Sequence, residues 1–104
     1  MIVVMTTVDD TDKAYSLAKR MVELKLAACV SICSIESTYF WEGKIFECQR
    51  EFMMLIKTSE GKIDALLDWL QKNHPYDTPE IITIDARAYG KYVKWLYGYL
   101  ESEI

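Results

Sequence analysis

The sequence predicts an α+β sandwich in which helices cover one face of a sheet, built as a single domain over residues 1–104. Strand-like and helix-like patterns alternate along the chain. Two of the strand-like segments follow one another across a short turn signal, which indicates a hairpin. A length of 104 residues and a hydrophobic content of 51% are enough for one core.

The first two predicted elements are a buried strand and an amphipathic helix. Residues 2–8, with the sequence IVVMTTV, are rich in β-branched side chains. Asp9, Asp10 and Asp12 then offer N-cap oxygens and negative charge at the start of a helix. From Ala14 to Val22, apolar residues recur at helical spacing, so one face of this helix is apolar.

A long hairpin is predicted next, with strands over residues 28–41 and 44–57. Glu42 and Gly43 are candidates for the tight turn between them. In the first strand a change of apolar parity near Ser34 predicts a bulge. In the second strand alternate residues are predicted to share one face, namely Phe46, Cys48, Phe52, Met54 and Ile56.

The remaining elements complete the order β-α-β-β-α-β-α. Ser59 is predicted to cap a helix that stops before Pro75. A strand is predicted over residues 80–87, and a third helix with an aromatic stripe over residues 89–100. Two βα units joined by a hairpin describe a split β-α-β, ferredoxin-like sandwich, to which the third helix adds a C-terminal element.

The length of the hairpin predicts self-association. Strands of about 14 residues would extend roughly 46 Å, whereas a compact chain of this size is roughly 33 Å across. The hairpin must bend or extend beyond the domain, and extended strands expose edges that can pair with another chain. We therefore expect a homo-oligomer with sheet contacts between subunits; a hairpin folded back at a bulge in a monomer is the alternative.

Composition bounds the partners and the location. The net charge of −4 and the pI of 4.9 disfavour nucleic acid as a partner, because phosphate binding needs a basic face. No apolar run approaches the ~20 residues of a membrane helix, and the first residues do not form a signal peptide. The three cysteines match no zinc or redox motif, so free thiols and a cytoplasmic location are expected.

Three features are candidates for a functional site. Residues 74–80 hold the one histidine and both prolines, which predicts a preset binding loop with His74 as metal ligand or proton carrier; a simple helix exit is the alternative. The aromatic run from Tyr39 to Trp41 predicts a pocket wall or buried packing. Lys57 offers its charge to an anionic ligand or extends to solvent. No motif of an enzyme is present.

Several segments together resemble the CutA divalent-cation tolerance family. They are LAACV at residues 26–30, YFWEGKI at 39–45, IKT at 56–58 and HPYDTPEI at 74–81, with Tyr92 and Trp95 following at the expected spacing. The resemblance spans nearly the whole chain. It implies a trimeric, ferredoxin-like protein, cytoplasmic in most bacteria and archaea, that is associated with tolerance of copper and other divalent metals.

The resemblance also implies two sets of site residues. In some members a cysteine on the first strand and a histidine before His-Pro-Tyr are proposed copper ligands; here these positions hold Met5 and Asn73. The implied ligands for Cu or Zn are then His74, Cys29 and Met5, whose thioether suits Cu(I).

Since the family trimer resembles that of PII signalling proteins, the alternative function is a regulatory trimer that binds a small anionic metabolite at a cleft between subunits. The candidate ligand-binding residues for that role all fall on motifs of the family, namely Lys57, Tyr39, Trp41, Tyr76 and Asp77. A third interpretation is a scaffold in which these side chains are interface packing. None of the three involves catalysis, nucleic acid or a membrane.

Overall fold

Seven elements make up the fold. The computed structural model describes residues 1–102, and along the chain it contains β1 (Ile2–Val8), α1 (Thr11–Glu23), β2 (Cys29–Trp41), β3 (Lys44–Thr58), α2 (Ile63–Asn73), β4 (Ile81–Asp85) and α3 (Lys91–Glu101). The predicted order of elements is therefore confirmed. None of the helices in this described part is long and apolar enough to cross a membrane.

The strands form one antiparallel sheet in the order β2-β3-β1-β4. Val4 of β1 pairs with Ile56 of β3 on one side and with Thr83 of β4 on the other. Each of the two βα units crosses over a neighbouring strand, which is the split β-α-β arrangement. The ferredoxin-like prediction is correct.

The hydrophobic core lies between one face of this sheet and the helices α1 and α2. The sheet contributes Val4, Val8, Met54 and Ile56, none of which is accessible to solvent. The helices contribute the apolar stripes that the sequence predicted, including Ala14, Met21, Leu66 and Leu70. Burying one large aliphatic side chain stabilises the fold by about 1.5–3 kcal/mol, so this layer holds the sheet in place.

The opposite face of the sheet is apolar as well. Met5, Met53 and Leu55 are only half-buried, and Ile82 and Ile84 are each 44% exposed. Pairing of Met5 with both Leu55 and Ile82 places these side chains side by side across three strands. This face is left open to solvent by the described part of the chain.

The bulge in the hairpin lies at Thr38 and not near Ser34. Pairing shifts between Ser37 and Tyr39, where two residues of β3 oppose one of β2. Cys48 takes a left-handed backbone conformation there, with φ at 52°, and its N–H donates to Thr38 Oγ1 at 3.3 Å. The parity change near Ser34 instead marks the end of the core-facing part of β2, since Ile32 is half-buried whereas Ser34 and Glu36 on the same face are exposed.

The bulge also overturns the predicted face of the second hairpin strand. One extra residue reverses the alternation, so Phe46 pairs with Tyr39 and lies on the face opposite Phe52. The two rings stack with centroids 5.4 Å apart. Phe46 and Cys48 therefore do not share the core face with Met54 as the sequence suggested.

The tight turn of the hairpin is confirmed. Glu42 and Gly43 both have positive φ, at 49° and 83°, as a two-residue type I′ turn requires. The molecule measures 46 × 26 × 22 Å, and Phe40 and Ile45 are 70% and 67% exposed at the hairpin end. The hairpin thus extends beyond the packed body.

Two helix starts differ from the prediction. Ser59 does not cap α2, because a turn intervenes in which Lys62 N–H donates to the Ser59 carbonyl at 3.1 Å. Gly90 precedes α3 with φ at 69°, so the helix begins at Lys91 and not at Tyr89. The predicted cap of α1 is confirmed, since Asp10 accepts from Asp12 N–H at 2.7 Å.

Candidate ligand-binding cleft

A cleft of about 830 Å³ lies beside the open end of the hairpin. Its walls come from β2, from β3, from the end of β1 and from the loop that joins α2 to β4, residues 74–80. Sites for small molecules are commonly about 300–1,000 Å³. The cleft is therefore large enough for a metabolite.

The cleft brings together four of the residues predicted to bind a ligand. Tyr39 and Trp41 line it from β2, while Tyr76 and Asp77 line it from the loop. These pairs are more than 30 positions apart in the sequence. The hairpin and the loop meet at β3, where the Tyr76 hydroxyl donates to Glu51.

His74 anchors the loop from inside the fold. Its side chain is 8% exposed, and its Nδ1 accepts a hydrogen bond from Tyr76 N–H at 3.1 Å. The proton is therefore on Nε2, which donates to the Thr7 carbonyl at 3.0 Å and lies 3.0 Å from Thr6 Oγ1. Burial lowers the pKa of His74, so the neutral ring is favoured.

The predicted helix exit is also present. α2 ends at Asn73, and His74 N–H donates to the Leu70 carbonyl at 2.9 Å before the chain turns to extended geometry. Pro75 follows, which disfavours helical geometry in His74. The His74 ring does not return to the last carbonyls of α2 but crosses to β1, which fixes the loop against the sheet.

Tyr76 connects the loop to β3. Its hydroxyl donates to Glu51 Oε2 at 3.0 Å, and its ring lies 5.0 Å from the His74 ring in an edge-on arrangement. Burial and then the Glu51 carboxylate raise the pKa of Tyr76. Tyr76 therefore remains a hydrogen-bond donor and holds the Glu51 carboxylate at the floor of the cleft.

The charged residues around the cleft are almost all acidic. Among the described residues that line it, Arg50 carries the one positive charge, and five carboxylates come from Asp9, Glu42, Glu51, Asp77 and Glu80. Such a field attracts cations and repels anions. The arrangement thus disfavours the anionic metabolite of the sequence-based alternative.

Lys57 does not belong to the cleft. It pairs with Cys29 and Val3 at the far end of β3, six residues from Glu51, which is about 20 Å along a strand. Its Nζ donates to Ser31 Oγ and lies 3.7 Å from Cys29 Sγ. The predicted contact between Lys57 and the aromatic wall is therefore absent within one chain.

The three predicted metal ligands are also apart. Cys29 and Met5 lie on β2 and β1 with β3 between them, about 10 Å across the sheet. Both ring nitrogens of His74 already have hydrogen-bond partners in the protein. Within residues 1–102 no three His, Cys, Asp or Glu side chains form a group that could hold a metal ion.

Several contributors to the cleft were missed by sequence reasoning, among them the charged residues Asp9, Glu42, Arg50 and Glu51. Arg50 and Glu51 follow Glu47 and Gln49 in the polar part of β3, so a charged residue there gave no signal of a site. The role of Thr7 as the carbonyl partner of His74 had no sequence signal, because any residue supplies a carbonyl. The three thiols are free as predicted.

Comparison with known proteins gives a consistent result. Residues 2–98 match the family model described as CutA1 divalent ion tolerance protein. A divalent-cation tolerance protein CutA from Pectobacterium atrosepticum is 40% identical over 97 residues, which cover 91% of this chain and 87% of that protein. A chloroplastic CutA 1 from Oryza sativa is 42% identical over 91% of this chain, which spans about half, 54%, of that protein's length.

Solved structures of the same family superpose closely. CutA from Synechococcus elongatus has a TM-score of 0.92 at 40% identity, covering 96% of this chain and 89% of that chain. CutA1 from Pyrococcus horikoshii has a TM-score of 0.91 at 34% identity, covering 98% and 100%. The family names describe ion tolerance and no reaction. The chain therefore belongs to the CutA1 divalent ion tolerance family.

Proposed function

We propose that the protein is a homotrimer that binds a small ligand in the cleft and takes part in the response to divalent cations. The observation that carries this proposal is the meeting of Tyr39 and Trp41 with Tyr76 and Asp77 around one cleft. His74 and Glu51 hold the loop side of this cleft in place before any ligand arrives. A preformed cleft loses little entropy when it binds.

A related structure supports a small organic ligand. CutA from Synechococcus elongatus has been solved complexed with Bis-Tris; it has a TM-score of 0.86 and 39% identity, covering 94% of this chain and 91% of that chain. That protein therefore holds a small organic molecule on the same fold. We propose a binding role of this kind, without catalysis, for the present chain.

Assembly as a trimer is supported by surfaces that one chain leaves open. The sheet face with Ile82 and Ile84 and the hairpin end with Phe40 and Ile45 expose large apolar side chains. Contiguous exposed patches of this kind mark protein interfaces. A second chain that covers them would also place its own residues beside the cleft.

Direct binding of copper or zinc by His74, Cys29 and Met5 is not supported by their arrangement in one chain. A shared ion would need ligands from other subunits, and His74 would have to release Tyr76 or Thr7. We propose a cytoplasmic location, since Cys33 and Cys48 are exposed thiols that an oxidising compartment would modify.

Thermal shift with a ligand panel tests the proposed function. Wild-type protein and Trp41→Leu are melted with small organic cations, anions, neutral compounds, Cu and Zn. We expect at least one class to raise the melting temperature of the wild type and not of the variant, because binding to the native state alone stabilises it. Equal shifts in both proteins would contradict a role for the cleft.

The assembly is tested separately by native mass spectrometry. Ile84→Asp places a charge on the open sheet face, and Leu24→Asp places one at the end of α1, where Leu24 is 39% exposed. We expect the first variant to dissociate and the second to keep the mass of three chains. A wild-type protein with the mass of one chain would overturn the trimer.

A further inference from the structure

Two apolar surfaces are exposed at different places on the molecule. The first is the hairpin tip, residues 39–46, where Phe40 and Ile45 pair across the two strands and are both largely exposed. The second is the outer face of α3, where Tyr92 and Trp95 are 42% and 50% exposed and their ring centroids lie 5.6 Å apart. Large aromatic and aliphatic side chains grouped in this way mark protein interfaces.

The two surfaces cannot meet within one chain. α3 is fixed near the start of β2, because Leu96 and Leu100 pack against Ala28 in a small core of their own. The hairpin tip lies at the other end of β2, whose 13 residues span about 40 Å of extended strand. The longest dimension of the molecule is 46 Å. Any contact between the hairpin tip and α3 therefore joins two molecules.

The open sheet face does not account for the exposed tip. Side chains alternate along β2, so Phe40 lies on the side of the sheet that carries the core, whereas Trp41 lies on the open side with Cys29. A partner that covered only the open sheet face would leave Phe40 and Ile45 in solvent. The tip therefore needs a further contact, on the side of the hairpin away from Trp41 and the cleft.

The charges around the two surfaces are complementary. Residues 86–100, which include most of α3, carry three basic side chains and no carboxylate, namely Arg87, Lys91 and Lys94. Residues 36–51, at the end of the hairpin, carry four glutamates against two basic side chains, so this segment is negative. Complementary charges bring two surfaces together, and like charges disfavour contacts of tip with tip or of helix with helix.

We propose that the hairpin tip of one chain docks on the outer face of α3 of a second copy, with Phe40 and Ile45 packed against Tyr92 and Trp95 and with Lys91 at the rim. This inference rests on the trimer of the proposed function and adds the two surfaces that meet. A contact between two different surfaces forms a ring when its rotation closes. In a ring of three chains, each hairpin tip and each α3 is used once.

Photo-crosslinking of the full chain tests the contact directly. Phe40→p-benzoylphenylalanine keeps an aromatic side chain at the tip and reacts on irradiation with groups beside it. We expect a two-chain product whose crosslinked peptide contains Tyr92 or Trp95, because the two surfaces lie about 40 Å apart in one chain. Tyr15→p-benzoylphenylalanine is the control, since Tyr15 is 62% exposed on α1, and it should give no crosslink to α3.

Charge substitutions test whether the tip and the helix depend on each other. In sedimentation experiments, Phe40→Asp and Trp95→Asp should each raise the concentration at half-dissociation about tenfold or more, and Tyr15→Asp should not change it. An equimolar mixture of the first two variants keeps one intact contact, between the tip of the Trp95→Asp chain and α3 of the Phe40→Asp chain. We therefore expect the mixture to form a two-chain species at a lower concentration than either variant alone.

The outcomes separate this inference from the trimer. A wild type with the mass of three chains, together with a tip that crosslinks elsewhere or not at all, would overturn the docking and keep the trimer. So would a Phe40→Asp or Trp95→Asp variant that retains the circular dichroism of the wild type and dissociates like it. If either variant loses that spectrum, the crosslink decides. A wild type with the mass of one chain would overturn both proposals.

Discussion

His74 shows how one residue can carry a family pattern for a structural reason. Its two ring nitrogens join the loop to β1, with Tyr76 N–H on one side and the Thr7 carbonyl on the other. A protonated ring would present a hydrogen to Tyr76 N–H and break this bond. The neutral imidazole therefore connects the loop to β1. It positions the loop that lines the cleft, although His74 itself does not line it.

The titration of His74 predicts a pH dependence of stability. Its pKa lies below the ordinary 6.5 in the folded protein, so unfolding takes up a proton at lower pH. The contribution of His74 to stability is complete above the unfolded pKa and is lost as pH falls from about 6.5 through the lower folded pKa. Urea unfolding at pH 7.5 and 5.5 should show a larger loss for wild type than for His74→Gln.

The control for this prediction is the slope at alkaline pH. Between pH 7.5 and 8.5 the wild type and His74→Gln should change in parallel, because neutral histidine no longer titrates there. If the stabilities of the wild type and His74→Gln also changed in parallel below pH 6.5, His74 would not be the cause of the loss of stability in acid.

The bond between Tyr76 and Glu51 predicts a measurable cost when it is removed. Tyr76→Phe leaves the half-buried Glu51 carboxylate without this donor, which should lower the free energy of unfolding by about 1 kcal/mol. Tyr15→Phe is the matched control, since Tyr15 is 62% exposed. Guanidinium unfolding of both variants measures the difference, and an equal effect in the two would show that the bond contributes nothing.

At the scale of the elements, local patterns were sufficient to predict the sheet, the helices and the turn. Strand alternation and helical stripes are set by burial, which acts on near neighbours in sequence. The position of the bulge was mispredicted because Thr38 and Cys48 carry no turn-forming chemistry, and the sequence cannot show where β2 leaves the helices behind. The cap of α2 was mispredicted because Ser59 looks like an N-cap whether or not a turn intervenes.

The turn of the hairpin predicts a stabilising substitution. Glu42 has φ at 49°, a conformation that costs most non-glycine residues about 1 kcal/mol and asparagine less. Glu42→Asn converts the pair into Asn-Gly, the preferred sequence for this turn, and should raise the free energy of unfolding by about 0.5 kcal/mol. Glu42→Ala keeps the strained backbone, so its free energy of unfolding should not rise above that of the wild type. Urea titration of the wild type and both variants measures the difference.

At the scale of the molecule, the sequence predicted self-association. It did not predict where the candidate metal-binding and ligand-binding residues lie relative to one another. The length of the hairpin was enough to expect exposed surfaces. The meeting of Trp41 with Asp77 depends on contacts between distant segments, and so does the separation of Cys29 from His74. The resemblance to a family therefore identified four residues of the cleft. The negative charge of the cleft became evident only in the structure, because its carboxylates come from separate segments of the chain.

Assembly predicts that stability depends on protein concentration. If three chains share the open sheet face, dilution favours dissociation and lowers the apparent melting temperature. We expect the melting temperature to rise clearly when the protein concentration is raised from about 1 to about 100 µM, because mass action favours the assembled form. The Ile84→Asp variant should lose this dependence, whereas a wild type whose melting temperature is constant would contradict an obligate trimer.

The extra residue in β3 determines the bend of the hairpin. Every pair from Cys29 to Ser37 and from Tyr39 to Trp41 is formed without Cys48, so deleting it would leave the same partners facing one another. What would change is the bend, because a bulge increases the local twist of the strand that carries it. One residue of β3 thus sets the bend of the hairpin, while the residues paired at its tip stay the same.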